Sequence, residues 1–234
     1  MKKKIFLGLF AIVLCVLLVG CTEKKKEEEK KTDDKVGGWA LYVDAEKISI
    51  PNEAEAAFTE AVKEYKDMTL EPIALIATQT VSGTNYMFFC RGTKDKVIDF
   101  EIAIIYKDLE GVSKVTKVTK FDLEKYVSKE IEFKKENVVG GWEVNANIEE
   151  WKVDGDALNA FEAVTKELTG VMYSPVAILG TQVVSGTNYA LLTYNTITNE
   201  THDTYVGVMT IYKDLQGNYK LTSVAYVDLA EFNK

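Results

Sequence analysis

The chain contains one segment twice, and this repeat is the strongest constraint on its fold. A shift of 103 residues aligns residues 79–86 (QTVSGTNY) with residues 182–189 (QVVSGTNY), and seven of the eight positions are identical. The same shift aligns the sequence GGW at 37–39 with GGW at 140–142. Each copy spans about 90 residues, which is enough for a hydrophobic core of its own. The sequence therefore predicts a tandem pair of domains and not a solenoid.

The shift changes to 106 residues further along the chain, where residues 105–109 (IYKDL) match residues 211–215 (IYKDL). The second copy thus carries three extra residues, and such an insertion indicates a surface loop, here near residues 195–203. These alignments predict repeat 1 at residues 37–127, a linker at 128–139 and repeat 2 at 140–234.

Each repeat contains one amphipathic helix. The apolar residues recur at helical spacing, and Pro51 suits the first turn of the first helix. The predicted apolar faces are Ala54, Ala57, Phe58, Ala61 and Tyr65 in repeat 1, and Ala157, Ala160, Phe161, Val164 and Leu168 in repeat 2.

The rest of each repeat has the composition of antiparallel strands. A β-rich run follows Pro72 or Pro175 and continues through the VSGT segment. Further strands are predicted near 97–106 and 115–121, and in repeat 2 near 204–212 and 219–227. Residues 107–111 and 213–217 read as tight turns with glycine at positive φ. The predicted class is α+β, with one helix packed on an antiparallel sheet in each of two tandem domains.

The N-terminus carries a targeting signal. Residues 1–20 combine three lysines with an apolar stretch that is too short for a comfortable membrane span. Residues 18–21 (LVGC) resemble the lipobox of bacterial lipoproteins, in which the cysteine is acylated and becomes the new N-terminus. This resemblance implies a lipid on Cys21 and a chain anchored at the extracytoplasmic face of the cell membrane; the alternative is a plain signal anchor with an incidental cysteine. Residues 21–36 are mostly charged and predict a flexible, solvated tether.

Charge and residue usage exclude several functions. Removal of the signal takes away three lysines, so the net charge of −8 becomes about −11, which argues against a nucleic-acid partner. Cys90 is then the only cysteine of the folded part, and its apolar neighbours predict a buried, inert thiol. His202 is the sole histidine, and no metal-ligand or dinucleotide motif is present. The sequence therefore predicts no enzyme, no metal and no cofactor.

The repeated segment itself resembles a known family. Residues 182–189 (QVVSGTNY) are similar to the central Gln-x-Val-x-Gly hairpin of the cystatins and stefins, which inhibit papain-like cysteine proteases, and the glycine pairs and the helix fall at similar spacing. The resemblance implies one helix on a four- or five-stranded antiparallel sheet, with three segments forming a wedge at one edge. The implied binding residues are Gly37, Gly38, Gln79, Val81, Gly83 and Leu109 in repeat 1, and Gly140, Gly141, Gln182, Val184, Gly186 and Leu215 in repeat 2.

The resemblance has departures, and a simpler interpretation stays open. Many cystatins carry Pro-Trp in the second hairpin, where this chain has Asp108-Leu109. Trp39 and Trp142 are either interface anchors or core residues. The repeated segment can also be constrained by folding alone. Two functions follow: reversible, noncovalent inhibition of papain-like proteases, or a noninhibitory envelope lipoprotein that binds another protein, a peptide or a small ligand.

Overall fold

The computed structural model describes residues 38–42, 49–127, 140–145 and 152–233. The predicted signal peptide, the tether at 21–36, Cys21, Gly37 and the linker at 128–139 lie outside these residues. The described residues contain two antiparallel five-stranded sheets and two α-helices, so the predicted α+β class is confirmed.

Repeat 1 forms the first sheet. Its strands are β1 (Ala40–Leu41), β2 (Thr69–Val81), β3 (Gly83–Lys94), β4 (Val97–Lys107) and β5 (Ser113–Lys120), and they lie side by side in that order. Helix α1 (Asn52–Glu64) connects β1 to β2, and a 3-10 helix at Leu123–Lys125 follows β5.

Repeat 2 forms the second sheet with the same plan. Its strands are β6 (Trp142–Val144), β7 (Val171–Val184), β8 (Gly186–Ile197), β9 (Thr204–Lys213) and β10 (Tyr219–Tyr226), again side by side in that order. Helix α2 (Gly155–Thr165) connects β6 to β7, and a 3-10 helix at Leu229–Asn233 follows β10. The inserted residues lie in the loop between β8 and β9, as the repeat alignment predicts.

Both helices bury the apolar face that the spacing predicts. Ala54, Ala57, Phe58 and Ala61 of α1 are buried, as are Ala157, Ala160 and Phe161 of α2. The prediction was wrong for Leu168. Helix α2 ends at Thr165, and Leu168 follows it as an exposed residue two positions before Gly170, whose positive φ starts the turn into β7. Neither helix, nor any other helix among the described residues, is long and apolar enough to cross a membrane.

The two prolines that follow the helices lie inside strands and not before them. Pro72 and Pro175 are in β2 and β7, where the pairing register shifts between Pro72 and Ala74 and between Pro175 and Ala177. A bulge tolerates the missing N–H of proline because the ladder is already interrupted there. The strands therefore begin earlier than the sequence predicts.

A shared hydrophobic core joins the two sheets. Each helix covers one face of its sheet, and the opposite faces contribute to a single cluster of buried side chains. The cluster includes Ile73, Phe89, Phe100 and Ile102 of repeat 1 and Leu179, Leu192, Tyr194 and Val208 of repeat 2. The layers are therefore helix, sheet, sheet, helix, and the repeats bury apolar surface on each other as well as on their own helices.

Two polar contacts also cross this interface. The hydroxyl of Tyr194 donates a hydrogen bond of 2.9 Å to the backbone carbonyl of Leu75, in a buried setting. Lys125 and Glu231 form an ion pair of 3.1 Å between the two 3-10 helices. These two residues occupy equivalent positions in the repeats, since they differ by the shift of 106.

At one pair of neighbouring positions on the helix-facing side, repeat 1 has glycine on β3 and a large side chain on β4, whereas repeat 2 has the large side chain on β8 and glycine on β9. In repeat 1 a β-carbon at Gly92 would lie 2.6 Å from Cγ of Glu101; in repeat 2 a β-carbon at Gly207 would lie 2.3 Å from Nδ2 of Asn195. Gly92 is equivalent to Asn195, and Glu101 to Gly207. Burial raises the pKa of Glu101, and Asp99 raises it further. Each repeat thus fills the same space from a different strand.

We expect the two repeats to unfold in one transition, because they share a core. Phe89→Ala in repeat 1 and Leu192→Ala in repeat 2 should each lower the free energy of unfolding by about 2–5 kcal/mol and shift the same transition. Val112→Ala, at an exposed position, serves as the control and should change stability by less than about 0.5 kcal/mol. Calorimetry and circular dichroism measure the effect. Two separate transitions, of which each variant moves only one, would contradict the shared core.

Candidate binding site

Three separate segments of repeat 1 meet at one end of its sheet. The pairing of Ala40 with Thr78 sets Gly38 beside the end of β2, and the pairing of Val81 with Gly83 closes the β2–β3 hairpin. Thr84 pairs with Lys107, which brings the β4–β5 turn to the same end. We call Gly38, residues 79–83 and Leu109 wedge 1.

Repeat 2 brings the equivalent segments together. Trp142 pairs with Gln182, Val184 pairs with Gly186, and Thr187 pairs with Lys213. We call Gly140, Gly141, residues 182–186 and Leu215 wedge 2. Of the residues that the resemblance implies, Gly37 alone lies outside the described chain, and the others fall into these two groups.

The wedges present apolar side chains to solvent. Val81 is 39% exposed and Leu109 78% exposed in wedge 1, and Leu215 is 78% exposed in wedge 2. Val184 is half-buried, whereas its neighbour Val183 is 60% exposed. Exposed apolar side chains clustered at one end favour contact with another molecule.

Val112 and Val183 are exposed apolar residues that the sequence reasoning missed. Val112 is 58% exposed and follows Gly111 at the β4–β5 turn, the turn that also carries Leu109. The signal that could have found it is its position directly after the predicted tight turn at 107–111. Val183 stands where repeat 1 has Thr80, so matching the repeats did not select it.

The glutamine and asparagine of the repeated segment bind each other. Asn85 donates a hydrogen bond of 2.7 Å from Nδ2 to Oε1 of Gln79, and Asn188 donates one of the same length to Gln182. Gln182 also donates to the backbone carbonyl of Gly140 at 2.6 Å, which ties the glycine segment to the hairpin. The hairpin motif therefore has a role in folding, whether or not it also contacts a partner.

Glycine is required at the hairpin by the fold itself. Gly83 has a φ of +123°, and a β-carbon there would lie 2.3 Å from the backbone oxygen of Lys107. Tyr106 donates a hydrogen bond of 2.5 Å to the carbonyl of Ser82, and Tyr212 bonds to Ser185 in the same way. The hairpin and the β4–β5 turn are therefore packed against each other.

An ion pair joins each helix to its wedge end. Lys107 bonds to Glu53 at 2.9 Å, and Lys213 bonds to Asp156 at 2.6 Å. The hydrogen bond from Lys107 and its charge lower the pKa of Glu53, and the same bond raises the pKa of Lys107. Because the carboxylates are largely exposed, each pair adds little stability, but both orient the first helical turn.

The β9–β10 turn, which carries Leu215 of wedge 2, is stabilised by hydrogen bonds to Asp214. Asp214 accepts hydrogen bonds from the backbone N–H groups of Gln216 and Asn218, both at 2.8 Å, and from the side chain of Asn218. The bonds from Asn218, followed by the backbone bonds from Gln216 and Gly217, lower the pKa of Asp214. Leu215 is thus displayed by an ordered turn.

The tryptophans beside the glycine segments contribute to packing. Trp39 and Trp142 are half-buried and contact the shared core. The contacts agree with the core alternative, although each residue keeps part of its surface exposed.

Groups with catalytic potential are dispersed. Cys90 is fully buried, as the sequence predicts, and burial raises the pKa of its thiol. His202 lies in the exposed β8–β9 loop. Within the described ranges, no three His, Cys, Asp or Glu side chains are grouped so that they could hold a metal ion.

Comparisons with known proteins add no family. No protein-family model matches the chain, and no curated protein matches it significantly.

We expect Gly83→Ala to destabilise the protein by about 2–4 kcal/mol, because it combines an unfavourable φ with a backbone clash. Gly111→Ala is the matched control. Gly111 also has a positive φ, of +92°, but a β-carbon there meets no atom within 4 Å, so the cost should be about 1 kcal/mol. Urea denaturation measures both. Equal losses in the two variants would show that the contact with Lys107 has no energetic role.

Proposed function

We propose that the chain is a membrane-anchored surface lipoprotein with two cystatin-like binding units, each of which inhibits papain-like cysteine proteases reversibly through its wedge. The observation that carries this proposal is the meeting of three distant segments at one end of each sheet, with apolar side chains at the tips. An exposed end with apolar side chains at its tips is suited to a concave cleft.

The chemistry of the wedge supports blocking without covalent bonding. Leu109 and Leu215 can displace water from the walls of a cleft, and Gly38 and Gly141 let the backbone approach closely. The packed hairpin and turn lose little entropy on docking, because contacts such as Tyr106 to Ser82 exist before binding. The inhibitor therefore needs no reactive group of its own.

A second function has its own supporting observation. The bonds between Gln79 and Asn85 and between Gln182 and Asn188 give the motif a reason to exist in the fold alone. The wedge tips then suit a noninhibitory lipoprotein that binds another envelope protein, a peptide or a small ligand. Inhibition assays separate the two functions.

We expect residues 22–234 to inhibit papain and a cathepsin in a saturable, reversible manner. Leu109→Glu together with Leu215→Glu should raise the inhibition constant by about 10- to 100-fold, because a charge at each tip must be desolvated in the cleft. Leu168→Glu, at an exposed leucine that belongs to neither wedge, introduces one such charge and should leave the constant within about twofold. Absence of inhibition at high micromolar concentration would reject the inhibitor function for these proteases and favour the noninhibitory one.

The membrane anchor has a separate test. Expressed in a bacterial host, the full chain should incorporate labelled fatty acid and remain in the membrane fraction. Cys21→Ser removes the thiol that carries the lipid and should abolish labelling, whereas Cys90→Ser leaves that thiol in place and should keep it. Undiminished labelling of Cys21→Ser would contradict lipidation at this residue.

A further inference from the structure

The shared core fixes where the two wedges lie relative to each other. Trp39 and Leu41, at the start of repeat 1 beside wedge 1, line a cavity of about 260 Å³ together with residues of repeat 2. Those partners include Tyr205 near the start of β9 and Leu229 after the end of β10. Wedge 2 is at the opposite end of these strands, since β9 ends at Lys213.

Repeat 2 is contacted near wedge 2 by the end of the first sheet that carries no wedge. Leu123 follows the end of β5, far from wedge 1. A β-carbon at Gly180 would lie 3.3 Å from Cδ2 of Leu123, and Gly180 pairs with Val144 on the strand that leads away from wedge 2. Each wedge therefore lies beside the end of the other sheet that carries no wedge.

The distance between wedge 1 and wedge 2 follows from the length of the strands. β9 has 10 residues, which corresponds to about 33 Å at roughly 3.3 Å per residue. Lys125 and Glu231 occupy equivalent positions in the two repeats and form an ion pair with each other. A contact between equivalent positions is expected where an approximate two-fold axis relates the two repeats. Because each wedge lies beside the wedge-free end of the other sheet, the two wedges lie at opposite ends of the packed sheets.

The relative orientation of the two repeats is fixed by packing. Buried side chains from both sheets, including Phe89 and Leu192, pack in one cluster, and the buried bond from Tyr194 to Leu75 crosses between the sheets. Close packing holds the two sheets in one relative orientation.

We infer that one chain holds two target molecules at the same time, one at each wedge, in a complex of two targets to one chain. The inference rests on the proposed function and adds its stoichiometry. The wedges diverge, so a target bound at one does not cover the other. Anchored by a single lipid, the chain then bridges two protease molecules.

Papain with its active-site thiol capped by a methylthio group, mixed with residues 22–234, tests this directly. Light scattering after gel filtration and sedimentation velocity give the mass of the saturated complex. We expect two papain molecules per chain for the native sequence, and one for Leu109→Glu or for Leu215→Glu. Leu168→Glu should keep two.

The remaining outcomes separate the two levels of the proposal. The native chain could saturate at one papain molecule, with binding lost in one wedge variant and unchanged in the other. That result overturns the two-target complex and leaves inhibition by a single wedge. Saturation at one papain that persists in either wedge variant means that the wedges occlude each other, which also overturns it. Absence of any complex rejects the proposed function and the inference together.

Discussion

The burial of the second face of each sheet is the constraint on which the rest of the structure depends. Phe88 and Phe89 are neighbours on β3 and both are fully buried, so that strand is covered on its two faces. One helix covers only one face, where Phe88 lies against Phe58 with ring centroids 4.9 Å apart. The other face, with Phe89, needs a second apolar layer, and the sheet of the other repeat supplies it. Folding of one repeat is therefore tied to folding of the other.

Local features of the fold could be predicted because each depends on residues close in sequence. Ala54, Ala57 and Phe58 recur at helical spacing, and the repeat alignment located the loop before β9. The shared core brings together residues such as Phe89 and Leu192, which are more than 100 positions apart, and a run such as residues 87–90 (MFFC) does not reveal what covers its second face. Bulges such as the one at Pro72 also shift the alternation of buried and exposed residues, which hid the true start of β2.

In the candidate site, too, only the features that depend on local sequence could be predicted. Comparison of the copies selected Gly83 and Leu109, because both recur at equivalent positions. It did not distinguish a folding role from a binding role. The contact of Gly83 with the Lys107 backbone depends on the closure of two turns, and the exposure of Val183 depends on which side of the hairpin it occupies. Both properties come from three-dimensional packing and have no counterpart in a sequence pattern.

The pair of Lys125 and Glu231 has a consequence for which repeats recognise each other. A homodimer built from two copies of repeat 1 would place lysine against lysine at this position, and one built from two copies of repeat 2 would place glutamate against glutamate. Only a first repeat with a second repeat brings opposite charges together. Because both side chains are partly exposed, the energy is small, yet it has the correct sign for correct pairing and the wrong sign for both alternatives. At this contact the two copies of the repeated sequence therefore favour unlike partners.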